Sequence, residues 1–392
     1  MNPHTPSTSQ AQAPPRREDA PPLHQSAAAG KAMKKPSTLL RSFSSRLSTR
    51  LSPSSSSPAV APWPPVRTAY DRWLAAELDE LRADPLTTPC TSAAWLGRAL
   101  GLAVAAQRRL VVASSASESE TTATVAAGGT GIDQKTIDEC VEDTAELLDA
   151  CAGFRDRLDM LRTYATATRV ALRWLEDGHG GETAARRAAA AFAECEAVER
   201  RCGAELAKCG SNLRKLGERA LLQHARHWQH PSAGAHHDEA LSGARALALL
   251  AVGALGAALA FRPRRAVSGV AGHAGGGKTA AAQWECALQE LQRHVRDEYD
   301  RRRKDGVPCL AELDAAMAAG RAVKCAVAGG RRCCPETVAA AAWRRCDELE
   351  ETVAVFEEKL DELRTELIAV RMMLMEWAQR ARGHELLRLP RI

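Results

Sequence analysis

Aromatic residues make up only 4% of this 392-residue chain, and no stretch alternates β-branched with polar side chains as a half-buried strand does. A β-sandwich and a parallel α/β sheet are both poorly served by such a sequence. None of the 12 cysteines forms a C-x-x-C pair, which removes the commonest zinc-ribbon and thioredoxin-type patterns. At about 3% of the chain, cysteine is also too sparse for a small disulfide-stapled scaffold. No G-x-S-x-G elbow is present, and the stretch HELLR at His384 ends in Arg388 where a zinc protease needs a second histidine. Paired acids such as Glu350 and Glu351 fall on the solvent side of a helical pattern and read as surface charge. Nor is there a basic field over the whole chain. The formal charge is +5, and residues 1–60 hold eight Lys or Arg against two acids, so the remainder is almost neutral. That balance argues against a nucleic-acid partner.

Alanine, leucine, arginine and glutamate dominate in place of those features, and they are strong helix formers. Helical spacing appears from about Val66, where Tyr70, Trp73, Leu74, Leu78 and Leu81 share a face. Residues 93–113 are apolar nearly all round, as a helix inside a bundle is. Small polar residues and glycines then predict a loop over 114–131. Spacing resumes through Ile137, Val141, Leu147, Leu148, Cys151, Phe154, Leu158 and Leu161, after an acidic opening that suits a helix N-terminus. A break at 176–182 precedes a long helix over about 184–228. On it Cys195, Cys202 and Cys209 recur every seven residues, a stripe of buried thiols rather than a metal site. From Pro335 to about Arg382 a three-four alternation runs without interruption. Its members are Cys346, Leu349, Val353, Phe356, Leu360, Leu363, Leu367, Val370, Leu374 and Trp377. Such a seam requires partner helices. The intramolecular core is its main expected use, and Leu349, Val353, Phe356, Leu360, Leu363, Leu367 and Val370 are the residues expected at any contact with a protein partner.

The predicted architecture is all-α: an elongated multi-helix bundle over residues 66–382 with a long C-terminal coiled-coil-like helix. Loops are expected near 114–131, 229–240 and 262–282, with a short tail over 383–392. Residues 1–65, rich in Ser and Pro, lack periodic apolar residues and are expected to be disordered. Residues 31–57 carry six basic residues and no acid. They read either as an organellar, chloroplast-type transit segment or as a regulatory or membrane-surface tail. Localisation is accordingly left open between the cytoplasm, a membrane surface and the chloroplast.

Three segments carry weaker chemical signals. Residues 272–279 spell the phosphate-loop pattern G-x-x-x-x-G-K-T and end in Lys278 and Thr279. That loop works at the tip of a strand in a parallel sheet, and the preceding FRPRRAVSGVAGHA is not a strand. A glycine-rich linker is the expected role, and a nucleoside triphosphatase the alternative. His224, His227, His230, His236 and His237 crowd into fourteen residues, but Pro231 and Gly234 among them mark a solvated turn. The run 246–261 has sixteen uncharged residues between basic flanks. As a helix it would span about 24 Å, short of the roughly 30 Å hydrocarbon core. A buried central helix and a membrane contact are its two readings. No catalytic, cofactor-binding or metal-binding residue is assigned.

The order of segments resembles the plant BYPASS and BYPASS-like family. The resemblance spans about residues 66–382. It rests on the Ser-rich basic N-terminus, DECVEDTAELLDACAGFRDRLDMLR (138–162), GSNLRKLGERA (210–220), the apolar ALALLAVGALGAALAF, and VFEEKLDELRTELIAV (355–370). It implies a non-enzymatic protein of plant development that restrains a root-derived mobile signal inhibiting shoot growth. It further implies protein–protein and membrane-associated interactions, with a role as an exocyst-linked secretion adaptor as another expectation. The family supplies no catalytic residue to carry over.

Overall fold

The computed structural model describes residues 68–82, 88–121, 134–176, 181–227, 235–262, 283–328 and 335–388. Among them are eight helices and no strand: α1 (Ala69–Arg82), α2 (Ala93–Thr121), α3 (Gln134–Glu176), α4 (Glu182–His227), α5 (Ala235–Ala258), α6 (Gln283–Asp305), α7 (Ala311–Ala328) and α8 (Glu336–Arg388). The all-α expectation is met. The expected disordered tail over 1–65 lies outside the described residues.

Helix ends follow local chemistry. Thr68 Oγ1 accepts from Asp71 N at 2.9 Å, and Ser92 Oγ from Trp95 N at 3.2 Å, so α1 and α2 begin on hydroxyl caps. Pro335 stands directly before α8, and its carbonyl accepts from Val338 N and Ala339 N. Gly306 ends α6 with φ +70°. Its N–H donates to Arg303 O and that of Val307 to Arg302 O, both at 3.2 Å, which is a Schellman closure requiring the left-handed conformation.

Four boundaries differ from expectation. Helix α2 continues through Thr121 although a loop was expected from 114, since Ser, Glu and Thr permit a helix and no glycine or proline intervenes before Gly128. Helix α5 begins at Ala235, which places His236 and His237 in its first turn instead of a loop. Asp238 and Glu239 suit the first turns of a helix. The acidic opening of α3 is displaced: its first turn holds no acid. Helix α8 runs to Arg388, through most of the expected tail, as HELLR holds strong helix formers and the first proline is Pro390.

The core is built from α2, α3, α5 and α8. Helix α8 lies antiparallel to α3, registered by Arg155 with Asp361, Arg162 with Glu357 at 2.7 Å and Arg169 with Asp347 at 2.5 Å. It runs parallel to α2, where Arg108 meets Glu366 at 2.9 Å. Helix α5 descends alongside α3, and Gln107 Nε2 on α2 donates to Ala244 O at 2.9 Å. Helix α4 flanks α3 and α5, α6 pairs with α1, and α7 lies on α8. Residues of the 246–261 segment are buried or half-buried throughout, so this stretch, helical as far as Ala258, lies inside the bundle. The α8 seam is equally internal: Leu349, Val353, Phe356, Leu363 and Leu367 are 0% exposed, and Leu360 and Val370 are 1%. The partner helices demanded by the heptad pattern are thus α2, α3 and α7 of the same chain. A second, smaller apolar cluster joins Ala171, Leu172, Phe192, Val323 and Ala342.

Candidate functional site

Several buried thiols and phenols of the interior are held in their protonated forms. Burial, reinforced by the nearby Glu298 charge, pushes the Cys90 thiol up to about 12. Desolvation pushes Cys309 to the same value and Cys346 to about 11. Such thiols are protonated at neutral pH and poor nucleophiles. The Tyr164 and Tyr299 hydroxyls are likewise raised by burial, and Tyr299 Oη donates to Cys90 O at 3.2 Å. Of the heptad cysteines, Cys195 and Cys202 are buried and outside any disulfide, whereas the Cys209 side chain lies outside the described residues. No group of three or more His, Cys, Asp or Glu able to hold a metal occurs among the described residues.

One polar cluster lies inside the bundle. Asp143 of α3 pairs with Arg245 of α5, with side-chain exposures of 3% and 11%. Burial lowers the Arg245 pKa, opposed by the charge of Glu139 and by a hydrogen bond with Cys140. Asp143, Arg245, Gln107, Thr144 and Cys140 share a cavity of about 10 Å³ with apolar neighbours that include Leu367 and Leu374. That volume is about one water molecule, far below the roughly 300–1,000 Å³ of a ligand pocket. The cluster ties α2, α3 and α5 together in register.

Other signals in the sequence do not converge on a site. The phosphate-loop residues Gly272 to Thr279 lie outside the described residues, ahead of α6, and the described residues offer no sheet to carry such a loop. His224 and His227 end α4, His236 and His237 begin α5, and His230 lies outside the described residues. Glu350 is not idle surface charge: it meets Arg169 at 2.5 Å and helps to join α8 to α3.

The outer face of α8 is different. Ile368, Met372 and Met375, spaced i, i+4 and i+7, are 41%, 56% and 41% exposed. They form an apolar row on one side of the helix. The opposite side carries the buried Leu367, Val370, Leu374 and Trp377. Arg371 Nη1 donates to Val141 O of α3 at 2.6 Å and holds this end of α8 against α3. Carried along the antiparallel register of Arg155 with Asp361 and Arg169 with Asp347, Ile368 stands level with Leu148 and Met375 level with Val141. Both α3 residues are half-buried and rest on the main core. The other exposed large apolar residues among those described, Val112, Val170 and Val355, lie off this row.

Heptad reasoning missed this row because it followed the core positions. A signal was nevertheless present: LIAVRMMLMEW (367–377) holds more large apolar residues than one seam can bury. Another contact had no sequence signal at all. Asp71 of α1, 3% exposed, accepts from Trp284 N at 3.0 Å and so caps α6 from 213 residues away. Comparison with protein families, with curated proteins and with solved structures returns no match for this chain.

Proposed function

We propose that this chain is a non-enzymatic helical interaction protein that binds other proteins through the outer face of α8. The observation that carries the reading is the exposed row Ile368, Met372 and Met375 on a helix whose inward side is fully packed. Methionine adapts its shape to an irregular partner surface and is frequent at such contacts. Exposed contiguous apolar residues mark interaction surfaces more often than they stabilise a monomer. The core seam is committed to the fold, so Leu349, Val353, Phe356, Leu360, Leu363, Leu367 and Val370 would act by holding α8 straight, not by touching a partner. Membrane contact through 246–261 would first require opening the bundle, and association is therefore assigned to proteins.

The resemblance of the helical segments to BYPASS-type proteins supplies the biological setting: plant development, with the chain acting by association to restrain a root-derived signal that inhibits shoot growth. Proximity labelling in plant tissue, comparing the wild type with Ile368→Ser/Met372→Ser, tests it. The labelled set should lose specific proteins in the variant while the protein's abundance is unchanged. An identical set in both would count against the α8 face as the place of association.

A further inference from the structure

The flank of the apolar row is mostly acidic on α3, while α8 itself contributes Arg364 and Arg371 between the row and α3. Between Lys135 and Arg155, α3 contains no basic residue and six acids: Asp138, Glu139, Glu142, Asp143, Glu146 and Asp149. Asp143 is committed to Arg245 inside the core. Asp138, Glu142, Asp149 and the next acid along, Asp156, are exposed. Their spacing of four, seven and seven returns them to one face of the helix. This acidic line runs next to Val141 and Leu148, which stand level with Met375 and Ile368 of α8. The α3/α8 surface is therefore an apolar strip with an anionic edge.

We infer that this strip receives a basic amphipathic helix of a protein partner, whose apolar side covers Ile368, Met372, Met375, Val141 and Leu148 and whose Lys or Arg side chains meet Glu142 and Asp149. The inference rests on the interaction role proposed above and names the chemistry of the occupant. A helix laid in a groove between helices is a recurrent recognition mode, with anchors at i, i+4 and i+7. Glu142 and Asp149 make no ion pair with any described residue, so both carboxylates remain open to an incoming cation. A second copy of this chain would bring the same acidic line against its own image, and like charges in an interface are strongly disfavoured.

The test uses the full chain and fluorescence anisotropy. The probe is an eighteen-residue helical peptide of leucine and lysine at amphipathic spacing. A leucine–glutamate peptide of the same pattern and phosphatidylserine vesicles serve as the other arms. The lysine peptide should bind at least about tenfold more tightly than the glutamate peptide at low salt and weaken as salt rises. Ile368→Ser/Met372→Ser should reduce its affinity about tenfold or more, and Glu142→Lys/Asp149→Lys should reverse the charge preference. Circular dichroism of each variant verifies that the bundle is intact. Equal binding of both peptides, preferential binding to vesicles, or an unchanged affinity in Ile368→Ser/Met372→Ser would overturn the inference. A glutamate peptide or vesicle that needs Met372 would still leave the α8 face as an interaction surface. Failure of proximity labelling to respond to the serine variant would remove that broader role.

Discussion

At the scale of single residues, two glycines in similar helical settings should respond in opposite ways to alanine. A Cβ added at Gly256 would meet Phe154 Cζ at 2.9 Å and Cε1 at 3.1 Å. Phe154 is 0% exposed, so it can yield only by displacing its core neighbours. Overpacking of this kind costs about 1–3 kcal/mol, against roughly 1 kcal/mol gained in helix propensity. At Gly153 nothing lies within 4 Å of the added atom, so only the propensity gain remains. In urea unfolding, Gly256→Ala should lower the midpoint and Gly153→Ala should raise it. The thiols give a second residue-scale outcome. Cys90 and Cys309 ionise near 9.0 when solvated and near 12 when folded. The folded state therefore holds its proton longer, and the associated stability is full below about pH 9 and lost as pH rises toward 12. Near pH 10 each thiol should cost about 1 kcal/mol relative to pH 8. The urea midpoint should fall between those two values, and Cys90→Ala should make the fall shallower; an identical slope in the variant would show that this thiol does not titrate in the unfolding equilibrium.

Among the elements, α5 illustrates both what periodicity reveals and what it hides. Its apolar run identified a helix with two destinations, interior or membrane, and composition alone could not separate them because both solvents are apolar. Placement inside the bundle depends on contacts that pattern does not encode. Gln107 donates to Ala244 O, and Asp143 pairs with Arg245 from a different helix. The α3 and α8 seams were legible because each buried stripe repeats at helical spacing for many turns. Helix α6 was harder to read, since its seven buried residues include Glu285 and it is otherwise densely charged. Asp143→Ala should lower stability by about 3–5 kcal/mol by leaving Arg245 buried without its partner. Replacing both residues, Asp143→Leu with Arg245→Met, should recover most of that loss. A double variant as unstable as Asp143→Ala would mean that the pair sets packing beyond its charge.

For the molecule as a whole, sequence pattern and function part company on α8. The heptad positions are conspicuous because they build the fold, whereas the row assigned to association is defined only by being left over after the core is filled. Leu360 and Met372 make the distinction measurable. Leu360 is 1% exposed, in the middle of the main apolar cluster that joins α2, α3, α5 and α8. Leu360→Glu removes roughly 1.5–3 kcal/mol of burial and adds the larger cost of an unpaired charge in an apolar site. Since whole domains are stable by only about 5–15 kcal/mol, that single change should remove much of the margin. Met372 is 56% exposed, so Met372→Ser should leave the helical circular dichroism and the urea midpoint within about 0.5 kcal/mol of wild type. If Leu360→Glu retained full helicity and an unchanged midpoint, the seam could not be the bundle's core. If Met372→Ser unfolded the chain, the outer row would be part of the fold, and its exposure would no longer argue for a partner.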